Sequence, residues 1–356
     1  KDLFALKAKT FLSDTIIFPK VGAAVHTNKK RILSRESIID NNVLGISILS
    51  DVIKPFYLLY FFYTINLSNL SNPGALPSIN SDSVKSILVP IPPIPEQKAI
   101  ANVLSIIQEN IEKTEAVINS TKELKKSLMN HLFTYGPVPI NETEKVKLKE
   151  TEAGLIPEDW NVEQVNKITQ KTRLIDPTKI LEYKFRYIDV SGIDNNVFSI
   201  KEYKIYTNID APSRARKMII QDDIIIATVR PTLRRIAIIT KEFDNEICST
   251  AFCVLRAKDC LSPLYLYYCL QRDLFTDRLR DLQRGASYPA VTDTDIKKQK
   301  IPLPPLPIQK QIADILSAVD SKIEAEKNKA RALEKLFQSL LNDLMTGKIR
   351  VREAVA

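Results

Sequence analysis

A proline strap running into a long amphipathic segment occurs twice in this chain, and that duplication constrains the fold more than any single residue. Residues 89–98 read Val-Pro-Ile-Pro-Pro-Ile-Pro-Glu-Gln-Lys, and residues 301–310 read Ile-Pro-Leu-Pro-Pro-Leu-Pro-Ile-Gln-Lys, an offset of 212 positions. The match continues without a gap through Leu128 and Leu340 to Leu132 and Leu344. Upstream the offset is 208: Pro55-Phe56-Tyr57-Leu58 answers to Pro263-Leu264-Tyr265-Leu266, and residues 14–18 answer to residues 222–226. A repeat on this scale means two similar units, each with material for its own core. Nothing in the first half answers to residues 148–208, so the first unit is expected to lack its opening portion, the chain starting mid-domain.

The segments after the straps carry a heptad seam. In the first, Ile100, Leu104, Ile107, Ile111, Thr114, Ile118, Thr121, Lys125, Leu128 and Leu132 recur at alternating spacings of four and three. In the second, Ile312, Leu316, Val319, Ile323, Glu326, Ala330, Leu333, Phe337, Leu340 and Leu344 keep the same register. That spacing puts one stripe on each helix of about 38 residues, roughly 57 Å at 1.5 Å per residue. A helix of that length needs a partner along its stripe. The economical partner is the other helix, antiparallel, so that each begins beside one globular unit and ends near the other; the alternative folds each helix back on its own domain. The closely spaced prolines exclude helix and central strand, leaving extended chain in the straps.

The expected fold class is therefore α+β: two similar mixed α/β domains separated by two long antiparallel helices forming a coiled coil, with a pseudo-twofold internal repeat. The expected division is a first domain at residues 1–88, strap and first long helix at 89–135, and a linker at 136–150 opening with Gly136-Pro137-Val138-Pro139. The second domain follows at 151–300, then the second strap, helix and tail at 301–356. Within the domains, residues 14–18 and 223–228 are short β-branched runs that read as buried strands, each leading through a basic connection into a second apolar run, as in a hairpin. Pro55 and Pro263 suit the first turn of apolar, aromatic helices. Gly74 and Gly285 lie in loops leading to Ser81-Asp82-Ser83 and Thr292-Asp293-Thr294-Asp295, which read as caps of short helical turns. Asp222 and Asp223 read as turn residues, and Trp160, the only tryptophan, as a core anchor.

Composition narrows the function. With 51 Lys and Arg against 42 Asp and Glu, the chain carries a net charge of +9, which favours a polyanionic partner. No segment approaches the ~20 apolar residues of a membrane span, so no membrane partner is expected. All four cysteines, Cys248, Cys253, Cys260 and Cys269, fall in the second half, opposite Asp40, Gly45, Val52 and Phe61 of the first. A disulfide or zinc framework built into the repeat is therefore not expected; free buried thiols in a reducing cytoplasm are, which makes the cytoplasm the expected location. The eight glycines are too scattered for a phosphate-cradling loop. His26 and His131 answer to Arg234 and Asp343, which leaves no histidine constellation in the repeated fold. The chain reads as non-catalytic, with no catalytic residue, metal ligand or cofactor of its own.

If the polyanionic partner is a nucleic acid, affinity comes from Lys and Arg on phosphates and specificity from a few side chains on base edges. The candidates in the second half are Arg214, Arg216 and Lys217, then Arg230, Arg234 and Arg235 around a predicted hairpin tip, and Arg280, Arg284 and Tyr288 bordering Gly285. In the first half they are Lys20, His26, Lys29, Lys30 and Arg31, with Asn72 beside Gly74. Each alone reads equally well as a solvated surface group, and Arg230, preceding Pro231, as a structural one.

The duplicated strap running into Ile-Ala-x-[Val/Ile]-Leu-Ser resembles the conserved regions of specificity subunits of type I restriction–modification systems. So do Gly154-Leu155-Ile156-Pro157-Glu158-Asp159-Trp160 at a domain start and Leu344-Met345-Thr346-Gly347-Lys348-Ile349-Arg350-Val351 at the end; the resemblance covers essentially the whole chain. It implies two target-recognition domains, each reading one half of a split double-stranded DNA sequence, with the helices setting the gap. It also implies a non-enzymatic guide that docks methyltransferase subunits using S-adenosylmethionine, and through them ATP- and Mg-dependent restriction subunits. The docking surface is expected on the exposed flanks of the long helices and the straps. The rival readings are a recognition subunit of a type IIB-like system and a coiled-coil scaffold that does not touch DNA.

Overall fold

A computed structural model describes residues 10–72 and 76–351. The chain divides into two compact units, one built from residues up to 119 together with those from 324 onward, the other from residues 120–323. The two long helices, Ile94–Tyr135 with 42 residues and Leu306–Met345 with 40, are each shared. Every unit thus holds the start of one long helix and the end of the other. Pro95 and Pro307 lie in the first helical turns, where a missing N–H costs nothing. All positions of the heptad seam are buried or half-buried, including the polar Thr114 and Glu326.

In the first unit a three-stranded antiparallel sheet runs in the order Arg31–Ile32, Ile16–Pro19, Val43–Ile46, with Ile16 opposite both Ile32 and Ile46. Helix Pro55–Tyr63 buries every residue from Tyr57 to Phe62, so it has no solvent face over that stretch and must be enclosed. It shares one core with Ile100, Leu104, Ile107 and Ile111 of the first long helix and Phe337, Leu341 and Leu344 of the second. Glu96, at the start of the first, holds Arg350, beyond the end of the second, through two 2.7 Å bonds. Ile111 and Phe337, further along, share that core and line one cleft, so the segments run antiparallel.

The second unit repeats the same sheet with strands Ile236–Ile238, Ile224–Ala227 and Phe252–Ala257, where Ile224 faces Ile238 and Leu255. Thr169–Gln170 adds a fourth strand. Another four-stranded sheet, ordered Lys204–Thr207, Lys184–Ile188, Ile247–Ser249, Ala215–Met218, draws its first two strands from the stretch without a first-half counterpart. Trp160 is buried in a core with Tyr265, Leu266, Ile312, Leu316, Leu132 and Phe133. Lys125 of one long helix meets Asp320 of the other at 2.7 Å, and Leu132, later in the first, shares a core with Ile312, earlier in the second, so here too they run antiparallel.

The repeat extends to individual hydrogen bonds. Gln97 is buried; its Oε1 accepts from Lys54 N, and its Nε2 donates to Val52 O and Pro92 O, each at 2.8 Å. Gln309 does the same with Ser262 N at 2.9 Å, Cys260 O at 3.0 Å and Pro304 O at 2.8 Å. Tyr57 Oη donates to Pro90 O, and Tyr265 Oη to Pro302 O. A strap rich in proline cannot join a sheet fully, because those residues lack an N–H. The glutamine and tyrosine tie it down through its carbonyls instead.

Several expectations need correction. Asp222, at φ +68, is a turn residue, as is Asp14 at φ +64. Asp223 is instead fully buried, in a bidentate pair with Arg256 at 2.8 Å. The first unit places Thr15 and Ser47 there, with hydroxyls 3.1 Å apart. The second strap is a strand in part: Lys300–Leu303 pairs with Asn161–Gln164, Pro302 lying opposite Val162 in a two-stranded ribbon that tolerates it. Cys260 is exposed, whereas Cys248, Cys253 and Cys269 are buried. The short helix Ser81–Lys85 is capped by Asn80; Thr292 caps its counterpart Asp293–Lys297 in a full capping box. Gly74 lies outside the described residues.

Candidate nucleic-acid interface

In the second unit, strand Ile224–Ala227 leaves the buried sheet and its hairpin connection is pinned to the loop before Val291. Val291 N donates to Thr228 O at 2.9 Å, and Arg230 N to Pro289 O at 2.7 Å. Arg284 and Ala290 exchange both backbone bonds, closing the loop around Gly285 at φ +92. A Cβ on Gly285 would sit 3.2 Å from Tyr288 O, so glycine suits both the conformation and the space. Arg230 and Arg234 flank a short turn, Pro231–Leu233, at φ +48 and +53. Left-handed backbone costs a residue other than glycine about 1 kcal/mol or more and persists only where its surroundings enforce it. The position answering to Arg230 is Gly22, at φ +76, whose N donates to Pro77 O at 2.7 Å.

This frame brings Arg230, Arg284 and Tyr288 onto one exposed surface. The Arg230 guanidinium lies 5.1 Å from the Tyr288 ring centre, and Tyr288 is 71% exposed. Arg284 reaches Asp295 at 3.3 Å but stays largely in solvent. Arg280 is exposed on helix Asp273–Asp281, with Asp277 at 2.8 Å and Asp281 at 3.7 Å. That helix packs against the Pro231–Leu233 turn. A planar cation over an aromatic face, both open to solvent, can form bidentate bonds to a base edge or stack on a base.

Other predicted residues are held by the fold. Lys217 is mostly buried and gives its amine to Phe252 O and Asp293 Oδ2, both at 2.6 Å, so it is corrected from surface contact to internal tie. Arg235 donates to Val190 O at 2.6 Å, and Arg234 to Asp273 at 2.7 Å. Arg216 donates to Ala215 O at 2.8 Å with Asp176 at 3.5 Å. These three are half-buried braces of the tip and its neighbouring sheet. Arg214 is exposed and lines a separate cleft of about 580 Å³ with Tyr187, Tyr203, Tyr206, Lys201 and Lys204.

In the first unit the equivalent turn is Ala23–Thr27, and His26 Nδ1 lies 3.1 Å from Ser68 Oγ. Lys29, Arg31 and Asn72 are exposed, and Lys20 is half-buried. Lys30 is corrected as Lys217 was: it is 2% exposed, donating to Asn28 Oδ1 at 2.8 Å and Ile65 O at 2.6 Å. Burial pushes its amine down to about 8. Burial raises the Cys253 and Cys269 thiols to about 12, which makes them poor nucleophiles. Among the described residues no group of three His, Cys, Asp or Glu could hold a metal ion, and no helix is long and apolar enough to cross a membrane.

Sequence reasoning missed Lys122 and Lys126, which project from the first long helix beside Arg234 and Asp273. The signal was there: the heptad seam assigns both to its flank.

The family described as the type I restriction modification DNA specificity domain matches residues 2–123 and 157–335. The type I restriction enzyme MjaVIII specificity subunit of Methanocaldococcus jannaschii is 27% identical over 307 residues, 83% of this chain and 71% of that one. A type I restriction–modification S subunit from M. genitalium shares the fold at TM-score 0.58 and 17% identity, over 94% of this chain and 83% of its own. The HsdS subunit of Thermoanaerobacter tengcongensis is 38% identical with a TM-score of 0.43; the match covers 51% of this chain and 45% of that one. The twice-matched family covers most of the sequence and falls on the two units that carry the strap, glutamine tie and long helix, so this chain belongs to the type I restriction–modification DNA specificity family.

Proposed function

We propose that each unit reads one half of a split double-stranded DNA target, and that the chain guides partner enzymes without turnover of its own. The observation that carries this reading is the tip pinned in the same way in both units, by Arg230 N to Pro289 O in one and Gly22 N to Pro77 O in the other. A repeated frame presenting different side chains, Arg230 and Tyr288 against His26 and Asn72, suits two different half-sites. Arg230, Arg284, Tyr288 and Arg280 are the reading surface of the second unit; Lys29, Arg31, His26 and Asn72 that of the first. The partners are methyltransferase subunits carrying S-adenosylmethionine and, through them, ATP-dependent restriction subunits, in the cytoplasm. The long helices act as the spacer. Four residues inserted after Thr121 add about 6 Å and 40° of helical phase, and should alter the recognised gap or abolish recognition.

The test is selection from a random duplex library by the chain assembled with its methyltransferase subunits. Enrichment of one motif with two fixed halves and an unfixed centre supports the reading. Recovery without sequence preference overturns it.

A further inference from the structure

The geometry points to a seat for the DNA backbone phosphates in the second unit, between the end of the first long helix and the hairpin tip. A cleft of about 230 Å³ is lined there by Lys122, Lys125, Lys126, Arg234 and Arg272, with the Asp273 carboxylate among them. Lys122 and Lys126 are exposed and one helical turn apart, so their charges share a face. Lys125, between them in sequence, is committed elsewhere: it pairs with Asp320 at 2.7 Å, and Asp320 in turn accepts from Tyr268 at 2.9 Å. Arg234 forms the opposite wall. It gives one Nη to Asp273 and, among the described residues, has no hydrogen-bond partner for its Nε. Like charges at this spacing on a helix repel by a few tenths of a kcal/mol. An anion in the cleft offsets the repulsion between the two lysines.

The internal repeat supplies a control within the same chain. The first unit has a cleft at the corresponding place, lined by Asn28, Lys29, Arg31, Tyr63, Glu334 and Gln338. At the repeat offset Glu334 answers to Lys122 and Gln338 to Lys126. Packing alone does not call for lysine at these positions, since the matching helix turn carries an acid and an amide. The basic pair is specific to the second unit.

This inference rests on the DNA-reading proposal and extends it. Arg230 and Arg234 bracket one three-residue turn, so the cleft begins where the reading tip ends. A backbone leaving the tip meets Lys122 and Lys126 next. The pair positions the duplex and carries no sequence information.

The experiment compares the full chain with Lys122→Ala/Lys126→Ala in titrations of a labelled 30-base-pair random-sequence duplex at several salt concentrations. Loss of two phosphate contacts should reduce the log–log salt slope by about 1.8 and weaken binding about 30-fold at 0.15 M salt. Lys122→Arg/Lys126→Arg should keep the parent slope, and Glu334→Lys/Gln338→Lys should steepen it. The recognised motif should not change. If the parent binds and the alanine pair keeps its slope, the seat is overturned while DNA reading stands. Weakened methyltransferase assembly with an unchanged slope overturns it in favour of an acidic protein partner. A parent chain that binds no duplex, alone or assembled, overturns both.

Discussion

Replacing Gln309 by leucine tests the tie between strap and domain at nearly constant volume. The change removes three hydrogen bonds, of 2.9, 3.0 and 2.8 Å, from a side chain that is 1% exposed. At about 1 kcal/mol each, the bonds account for about 3 kcal/mol. Any of Ser262 N, Cys260 O and Pro304 O left dry adds a further 1–3 kcal/mol, so the expected loss is about 3–5 kcal/mol in the second unit. A chain with two compact units does not unfold in one step, so a single midpoint would blur the effect. Hydrogen exchange read peptide by peptide resolves it: amides of Ile224–Ala227 and Pro263–Leu270 should exchange at least about 100-fold faster, since 1.4 kcal/mol is tenfold. Gln97→Leu should act mainly on Ile16–Pro19 and Pro55–Tyr63. A change under about fivefold in the mutated unit would refute the reasoning, as would equal losses in both units from either substitution.

Asp223→Ala should destabilise the second unit by about 3–5 kcal/mol, because it strands the Arg256 guanidinium beside a fully buried site. Asp223→Thr with Arg256→Ser, copying the Thr15–Ser47 pair, should recover more than half of that, as measured by the same exchange. Lys30 binds its proton less tightly folded than unfolded, about 8 against 10.5, so its charged form opposes folding below pH 8. The first unit should therefore gain stability as pH rises from about 8 towards 10.5, by at most about 3 kcal/mol, and Lys30→Met should abolish that slope. Arg230→Gly should relieve about 1 kcal/mol of left-handed strain while costing about 1–3 kcal/mol of DNA affinity and relaxing the preference at one base position. Binding to single-base variants of the selected motif checks it.

Repetition made the architecture legible before any geometry was known. Periodicity identified the buried stripe of both helices from Ile100 to Leu132 and from Ile312 to Leu344, because one face of a long helix must be covered whatever covers it. The partners of polar side chains were not legible. Lys30 and Lys217 look like surface lysines in sequence, and only the chain's return at Ile65 and Asp293 shows where their amines go. Asp223 beside Asp222 reads as a turn because its partner, Arg256, is 33 residues away. The glutamine of each strap was in plain view twice, but its three partners lie in loops with no pattern of their own. The candidate surface was half legible: Arg230, Arg284 and Tyr288 were named, yet which arginines face solvent and which brace the turn depends on the positive φ at Arg230 and Arg234.

The most direct test of the central claim is genome-wide adenine methylation in the host strain with and without this gene, read by single-molecule sequencing. The account predicts that deletion erases methylation at one split motif and leaves every other methylated motif intact. An unchanged pattern, with the partner methyltransferase expressed, would contradict it.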